Sequence, residues 1–266
     1  MADRIERLAG FVLVTGASSG IGLELARLAA RDGCSLLLAA DRPLDEAEAA
    51  ARDAGAPSVE TVQADLATRK GLQQLMAAIG DREVDVLIAN AGHGLGRAFV
   101  EQDWADIAHV IHTNVTGTTW LLHAIGRKMV ARNAGRILVT GSIAGHIPGA
   151  YQLVYNSTKS YIDYFCFGLR NELKHTDVAV TCLMPGPTDT RFFARAGMEN
   201  TDVGQDDDKA DPAKVAQDGY EALLGGDAHT VSGFMNKVQD TFAGIIPDTV
   251  LAQMHRRMAE PQGPDR

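Results

Sequence analysis

The chain has 266 residues, 45% of them hydrophobic, and a formal net charge of −9. That length and apolar content fit one globular domain with a large core, and no run approaches the ~18 apolar residues of a spanning helix. The acidic balance, without a basic cluster, speaks against nucleic acid and anionic membranes as partners. MADRIERLAG at the start lacks the apolar core of a signal peptide. Cys34, Cys166 and Cys182 are an odd number at no ligand spacing and sit in apolar segments. They read as buried reduced thiols, which fits a cytoplasmic location.

Phe11 to Thr15 reads as a buried strand, and Gly16, Gly20 and Gly22 follow at once. Ile21, Leu25, Leu28 and Ala29 then recur at helical spacing, so a helix runs from near Gly20 to about Asp32. Strand, glycine turn and helix can hold a nucleotide diphosphate, because free N–H groups and the helix dipole favour negative charge there. The spacing is G-x-x-x-G-x-G rather than the commoner G-x-G-x-x-G. On its own it is also compatible with a tight turn that binds nothing. Further strands are expected at Ser35–Asp41, Val59–Gln63, Asp85–Asn90, Arg136–Ser142 and Val178–Gly186. Helices are expected at about 44–54, 68–79, 103–132 and 151–174. This alternation predicts an α/β fold, a doubly wound parallel sheet of about seven strands with helices on both faces. Ligands then bind at the carboxyl ends of the strands.

Residues 192–211 carry much charge and glycine with little periodicity, including Asp206, Asp207 and Asp208. No histidine or cysteine accompanies these acids, so no metal site is expected, and the stretch reads as a solvated loop. Its place after a ligand-facing strand end makes residues 190–211 a substrate lid. A helix at 213–224 and a short strand at 229–231 follow. The tail, about 234–260, is amphipathic, broken at Pro247, and ends in His255, Arg256 and Arg257. It either lies on a membrane surface or, the favoured reading, packs on the body or on a second subunit. One domain covers residues 1–266.

Tyr155 and Lys159 are one turn apart on a predicted helix and share a face. A phenol ordinarily ionises near pH 10; a neighbouring ammonium lowers that value and would make Tyr155 an acid/base. Such pairs also simply pack on helix surfaces. Ser142 ends the fifth strand, either as an ordinary strand-end serine or as a hydrogen-bond partner for a substrate oxygen. Asn114 lies in a helical stretch where asparagine is a middling former. A local kink, a held water or plain solvation would each explain it. His93 and His146 could line a pocket but are assigned no catalytic role. Asp41, ending the second strand, can accept hydrogen bonds from ribose hydroxyls and repel an extra phosphate. NAD(H) is therefore the expected cofactor. Arg42 could reach a 2′-phosphate, which keeps NADP(H) open, while position 19 is Ser rather than a helpful Arg.

TGASSGIG at 15–22, NAG at 90–92, Asn114, Ser142, Tyr155-x-x-x-Lys159 and PGPTDT at 185–190 occur in this order. The sequence resembles the short-chain dehydrogenase/reductase family, in its compact single-domain branch. The resemblance implies a Rossmann-type fold and hydride transfer between a nicotinamide cofactor and a secondary alcohol or ketone. It implies Tyr155 as general acid/base and Lys159 as the group that lowers its pKa and holds the nicotinamide ribose. Ser142 would position the substrate oxygen, and Asn114 would hold a water linking Lys159 to solvent. Asp65 would approach the adenine, Asn90 and Gly92 would border the adenosine side, and Thr188 would meet the carboxamide. Gly16, Ser18, Ser19, Gly20, Ile21, Leu66, Ala91, Pro185, Gly186 and Thr190 complete the expected cofactor site. A ketone reductase using NADPH and a non-catalytic dinucleotide-binding protein are the alternatives. Pairing through the two long helices, by Trp104, Trp120, Leu121, Tyr161, Tyr164, Phe165 and Phe167, implies a homodimer or homotetramer. Substrate contacts are expected from about 93–97, 143–153 and 192–198.

Overall fold

Every residue of β1 (Phe11–Thr15) is buried, as expected of a parallel strand covered by helices on both faces. The computed structural model describes residues 3–233 and 246–262. In it β1 pairs in parallel with β2 (Ser35–Ala40) on one side and β4 (Val86–Ala89) on the other. With β3 (Val59–Gln63), β5 (Gly135–Thr140), β6 (Val178–Met184) and β7 (His229–Val231) they form a seven-stranded parallel sheet, ordered β3-β2-β1-β4-β5-β6-β7. The chain runs outward from β1 to β3, returns to β4 beside β1, and continues the other way. That reversal opens a crevice at the carboxyl ends of β1 and β4.

The two-residue period of β1 sends Leu13 into one core and Val12 and Val14 into the other. The first core is closed by α3 (Arg69–Ile79), α5 (Thr118–Ala131) and α6 (Leu153–Glu172). The second is closed by α1 (Gly20–Arg31), α2 (Asp45–Asp53) and α9 (Pro212–Gly225). This is the expected Rossmann-type architecture.

Two elements differ from expectation, and a third, the tail, follows the favoured reading where it is described. The long helical region is α4 (Trp104–Ile111), a π-helical turn (His112–Gly117) and α5. The wider turn brings Asn114 inward and sets Gly117 against the Leu66 carbonyl, where a Cβ would not fit. The stretch read as a solvated loop contains two short helices, α7 (Phe192–Arg195) and α8 (Asp202–Gln205). Phe193, Ala196 and Met198 within it are buried with Ala259, so an apolar cluster organises a segment whose composition is mostly polar. Of the tail, residues 234–245 lie outside the described residues, and α10 (Asp248–Ala259) follows Pro247. Leu251, His255 and Ala259 of α10 are buried, so this part of the tail packs on the body. Among the described residues no helix is long and apolar enough to cross a membrane.

The β1–α1 turn is held by close approach. Gly16 and Gly20 have φ of +65° and +59°, the left-handed region where glycine costs least. Gly22 packs so tightly that a Cβ would overlap the Gly16 carbonyl and the Asn90 amide. Gly22→Ala should therefore destabilise the protein by about 1–3 kcal/mol, the usual cost of overpacking. It should also abolish the rise in melting temperature on adding nicotinamide dinucleotide. Urea unfolding and thermal melts measure both.

Candidate active site

The sequence motifs converge because the carboxyl ends of β1, β4, β5 and β6 share one edge of the sheet. There the Thr15 hydroxyl accepts hydrogen bonds from the Asn90 and Ala91 N–H groups, each at 3.1 Å. The Asn90 side chain bridges the turns. It donates to the carbonyls of Thr15 and Gly16 at 3.3 and 3.2 Å and accepts from the Thr140 hydroxyl at 3.0 Å. Its amide thus holds the glycine turn to β5.

Thr140 also receives Lys159. The Lys159 Nζ donates to the Thr140 carbonyl at 2.6 Å, and the side chain is buried. Asn114 clamps the adjoining turn, accepting from the His93 N–H at 2.8 Å and donating to the His93 carbonyl at 2.9 Å. The same amide donates to the Thr158 hydroxyl at 2.9 Å. Asn114 and Lys159 both face Gly92: a Cβ there would stand 3.3 Å from Asn114 Oδ1 and 3.5 Å from Lys159 Nζ. Ser142 accepts from the Ala144 N–H at 3.1 Å and donates to the Pro185 carbonyl at 3.3 Å. Its hydroxyl is thereby fixed by the turn that follows β5.

Burial acts on Tyr155 against the lowering that the sequence expects from Lys159. Burial pushes the Tyr155 phenol up to about 12, against a hydrogen bond from Ser142 that pulls it down. Lys159 Nζ is 5.8 Å from the Tyr155 ring centre, and burial lowers the pKa of that ammonium in turn. Desolvation disfavours the charged form of each group, which raises the phenol and lowers the ammonium.

A cavity runs along this edge. Every expected cofactor residue except Arg42 lines it, from Gly16, Ser18, Ser19, Gly20 and Ile21 through Asp41, Asp65, Leu66 and Asn90–Gly92 to Tyr155, Lys159, Pro185, Gly186, Thr188 and Thr190. A nicotinamide dinucleotide fits these residues. The α1 N-terminus has no side-chain cap and no acid in its first turn, so its N–H groups are available to a phosphate. Ser142 lines the same cavity, whereas Asn114 stands behind it.

At the adenosine end, Asp41 Oδ2 lies 3.7 Å from Arg42 Nε and 3.5 Å from His93 Nε2. His93, then Arg42, hold the Asp41 carboxyl below its ordinary value. His93 lines the cavity, as the sequence allows, and does so at the adenosine end beside Asp41. Its ring also packs edge-on against His109, with centres 4.7 Å apart. Arg195 of α7 donates to the Ser19 hydroxyl at 3.2 Å, so the lid segment reaches the glycine turn.

At the other end the walls are Ile143, Ala144, Ile147, Phe192, Phe193, Val203, Met258 and Ala259, with Gln152 and His255. The Phe192 ring is 5.0 Å from that of Tyr155 and rests on Gly94. Leu153 is instead exposed, and Pro148 and Arg97 are not in the wall. Val203 falls within the expected lid, whereas His255, Met258 and Ala259 escape the sequence reading of the substrate wall. The spacing of Leu251, His255, Met258 and Ala259 on an amphipathic helix is the signal that marks α10 as a buried wall.

The family model described as short chain dehydrogenase matches residues 10–200. The NADP-dependent 3-hydroxy acid dehydrogenase YdfG of Salmonella typhi is 37% identical over 182 residues, covering 66% of this chain and 71% of its own. Mouse 17-beta-hydroxysteroid dehydrogenase type 1 is 34% identical over 194 residues, covering 69% of this chain and 56% of its own. Among solved structures, a short-chain dehydrogenase from Sphingobium yanoikuyae in complex with NADPH superposes with a TM-score of 0.79 at 28% identity, covering 97% of this chain and 99% of that one. The chain belongs to the short-chain dehydrogenase/reductase family, as an NAD(P)-dependent oxidoreductase acting on hydroxyl groups of small molecules.

Proposed function

We propose that the protein interconverts an apolar secondary alcohol and its ketone with NADP(H), using Tyr155 as general acid/base. The observation that carries the reading is the half-buried Tyr155 beside buried Lys159 and Ser142, at the point where the cofactor end of the cavity meets its apolar end. A bound nicotinamide gives or accepts the hydride. Ser142 holds the substrate oxygen, and Tyr155 gives that oxygen a proton in reduction or takes one in oxidation. Lys159 holds the nicotinamide ribose and favours the phenolate. Asn114 serves indirectly by fixing the turn that carries Gly92. Because burial holds the phenol high, Tyr155 keeps its proton at neutral pH, in place for reduction, and oxidation gains as the pH rises toward its ionisation.

The preference for NAD(H) read from Asp41 gains no support, for a physical reason. One carboxylate faces Arg42 and His93, and Arg195 stands at Ser19. The charge that should repel a 2′-phosphate is already engaged, and two guanidiniums are close by. The relatives agree with this arrangement: YdfG is NADP-dependent and the Sphingobium yanoikuyae enzyme binds NADPH. The substrate end is apolar, and Arg195, a cation of the lid, is turned toward the glycine turn. Arg191, which also lines the cavity, is the cation left for a carboxylate substrate of the kind that the name of YdfG implies for that enzyme. A bulky apolar ketone, as for the hydroxysteroid relative, suits the wall. Residues 190–211 act as its lid. Three buried free thiols support a cytoplasmic location.

The helix faces support a homodimer or homotetramer in modified form. Trp104 and Tyr164 are 72% and 70% exposed, with Trp120 and Tyr161 partly so. Leu121 belongs to the core instead, and Phe165 and Phe167 are half-buried against it, with Phe165 stacked on Tyr161. Light scattering at micromolar concentration should give a dimer or tetramer mass; a monomer overturns this part of the reading.

Tyr155→Phe should lower kcat by ~100- to 10,000-fold with cofactor affinity nearly unchanged. Wild-type oxidation of an apolar secondary alcohol should rise toward alkaline pH, and near-wild-type turnover in Tyr155→Phe overturns the assignment.

Arg42→Ala and Arg195→Ala should each raise the Kd for NADPH about tenfold or more while moving that for NADH little, since a charge-assisted hydrogen bond contributes about 1.5–3 kcal/mol. Cofactor fluorescence titrations at one ionic strength read this directly. A wild type that binds NADH more tightly than NADPH returns the site to Asp41.

A further inference from the structure

A second buried charge stands directly behind the site. Asp163 lies one turn beyond Lys159 on α6 and is fully buried. The chain clears space for it on both sides, since a Cβ on Gly141 or Gly145 would overlap its carboxylate oxygens. Oδ1 accepts from the Ser142 N–H and from the Cys182 thiol, both at 3.4 Å. Oδ2 takes no hydrogen bond among the described residues and stands 3.8 Å from His146 Nε2. The titratable groups around it are Tyr155, Lys159 and Cys166 on α6, Cys182 on β6, and His146 on the turn after β5.

We propose that Asp163 is a positioning residue of the reaction: its buried carboxylate holds the backbone of Ser142 and sets a negative charge one helical turn behind Lys159, close to the reacting groups. The proposal rests on Tyr155 being the acid/base. The buried location is what gives one carboxylate this reach, because charges interact more strongly out of water. Its negative charge makes the Tyr155 phenolate harder to form and favours the Lys159 ammonium. Reciprocally, burial pushes the Asp163 carboxyl up, to about 6, against the pull of Lys159 that lowers it. Asp163 therefore gains or loses its charge close to neutral pH. When it is protonated, Tyr155 ionises more easily and Lys159 holds its proton less firmly.

The test compares the pH dependence of 1-phenylethanol oxidation by the holoenzyme in wild type and Asp163→Asn. The amide breaks no hydrogen bond at the Oδ2 position and removes the charge. The alkaline limb, which reports Tyr155, should move to lower pH by about one unit, while Asp163→Glu should keep it near the wild-type position. An unmoved limb in a folded Asp163→Asn protein overturns the proposal. A second measurement needs no Asp163 variant. Infrared titration of the wild type should show a carboxyl with a midpoint near 6, and Lys159→Met should move that midpoint upward. An unchanged midpoint likewise overturns it. A wild type without any alkaline limb counts against Tyr155 as the acid/base, and the infrared result then decides the Asp163–Lys159 coupling by itself.

Discussion

Burying the Lys159 ammonium is the constraint from which the rest of the site follows. An ammonium taken out of water costs several kcal/mol unless partners replace its hydration. Here the Thr140 carbonyl supplies one such partner at 2.6 Å. Thr140 can do so because β5 ends there, leaving its carbonyl outside the ladder. The same residue holds Asn90 through its hydroxyl, and Asn90 holds the glycine turn. The proton-handling end and the phosphate-binding end are thus joined through two residues, Thr140 and Asn90.

The apolar end is built on a different principle. Tyr151 has a φ of +64°, which a bulky side chain adopts only at a cost of about 1–3 kcal/mol. Three contacts with α10 and the residue beyond it offset that strain. His255 Nδ1 meets the Ala150 carbonyl at 2.8 Å, and the Tyr151 hydroxyl donates to Glu260 at 2.9 Å. Arg256 donates to the same hydroxyl at 3.2 Å. Beyond α10, the Gln262 N–H reaches the Asn200 carbonyl at 2.7 Å, tying this segment to the lid. The wall opposite Tyr155 is therefore assembled from three stretches distant in sequence. Its shape depends on their mutual docking rather than on any one helix.

This difference explains what is legible in the sequence. The β1–α1 turn, the strand ends and the Tyr155–Lys159 pair are short-range patterns, and strand alternation and helical spacing locate them directly. The two helices of the lid are four residues each, too short for helical periodicity to register. The π turn carries only Asn114 as a hint. Asp163 is one acid in a helix rich in polar residues, yet it falls on the stripe of Lys159, Ile162 and Cys166, all buried. An acid on a buried stripe is the sign that the sequence offers. The ionisation of Tyr155 is not legible there, because sequence shows a nearby ammonium but not the depth at which both groups sit.

Asp41 shows the limit most clearly. As the last residue of a strand pattern it reads as a selector against a 2′-phosphate. The sheet order puts β2 and β4 on either side of β1, so their carboxyl ends are separated by one strand, roughly 10 Å at the usual spacing. An aspartate on one and a histidine on the other can together span that gap across the crevice. Neither residue alone predicts the contact, and no local pattern contains it. Topology converts an isolated carboxylate into a compensated one, and the meaning of the same side chain for cofactor charge changes with it.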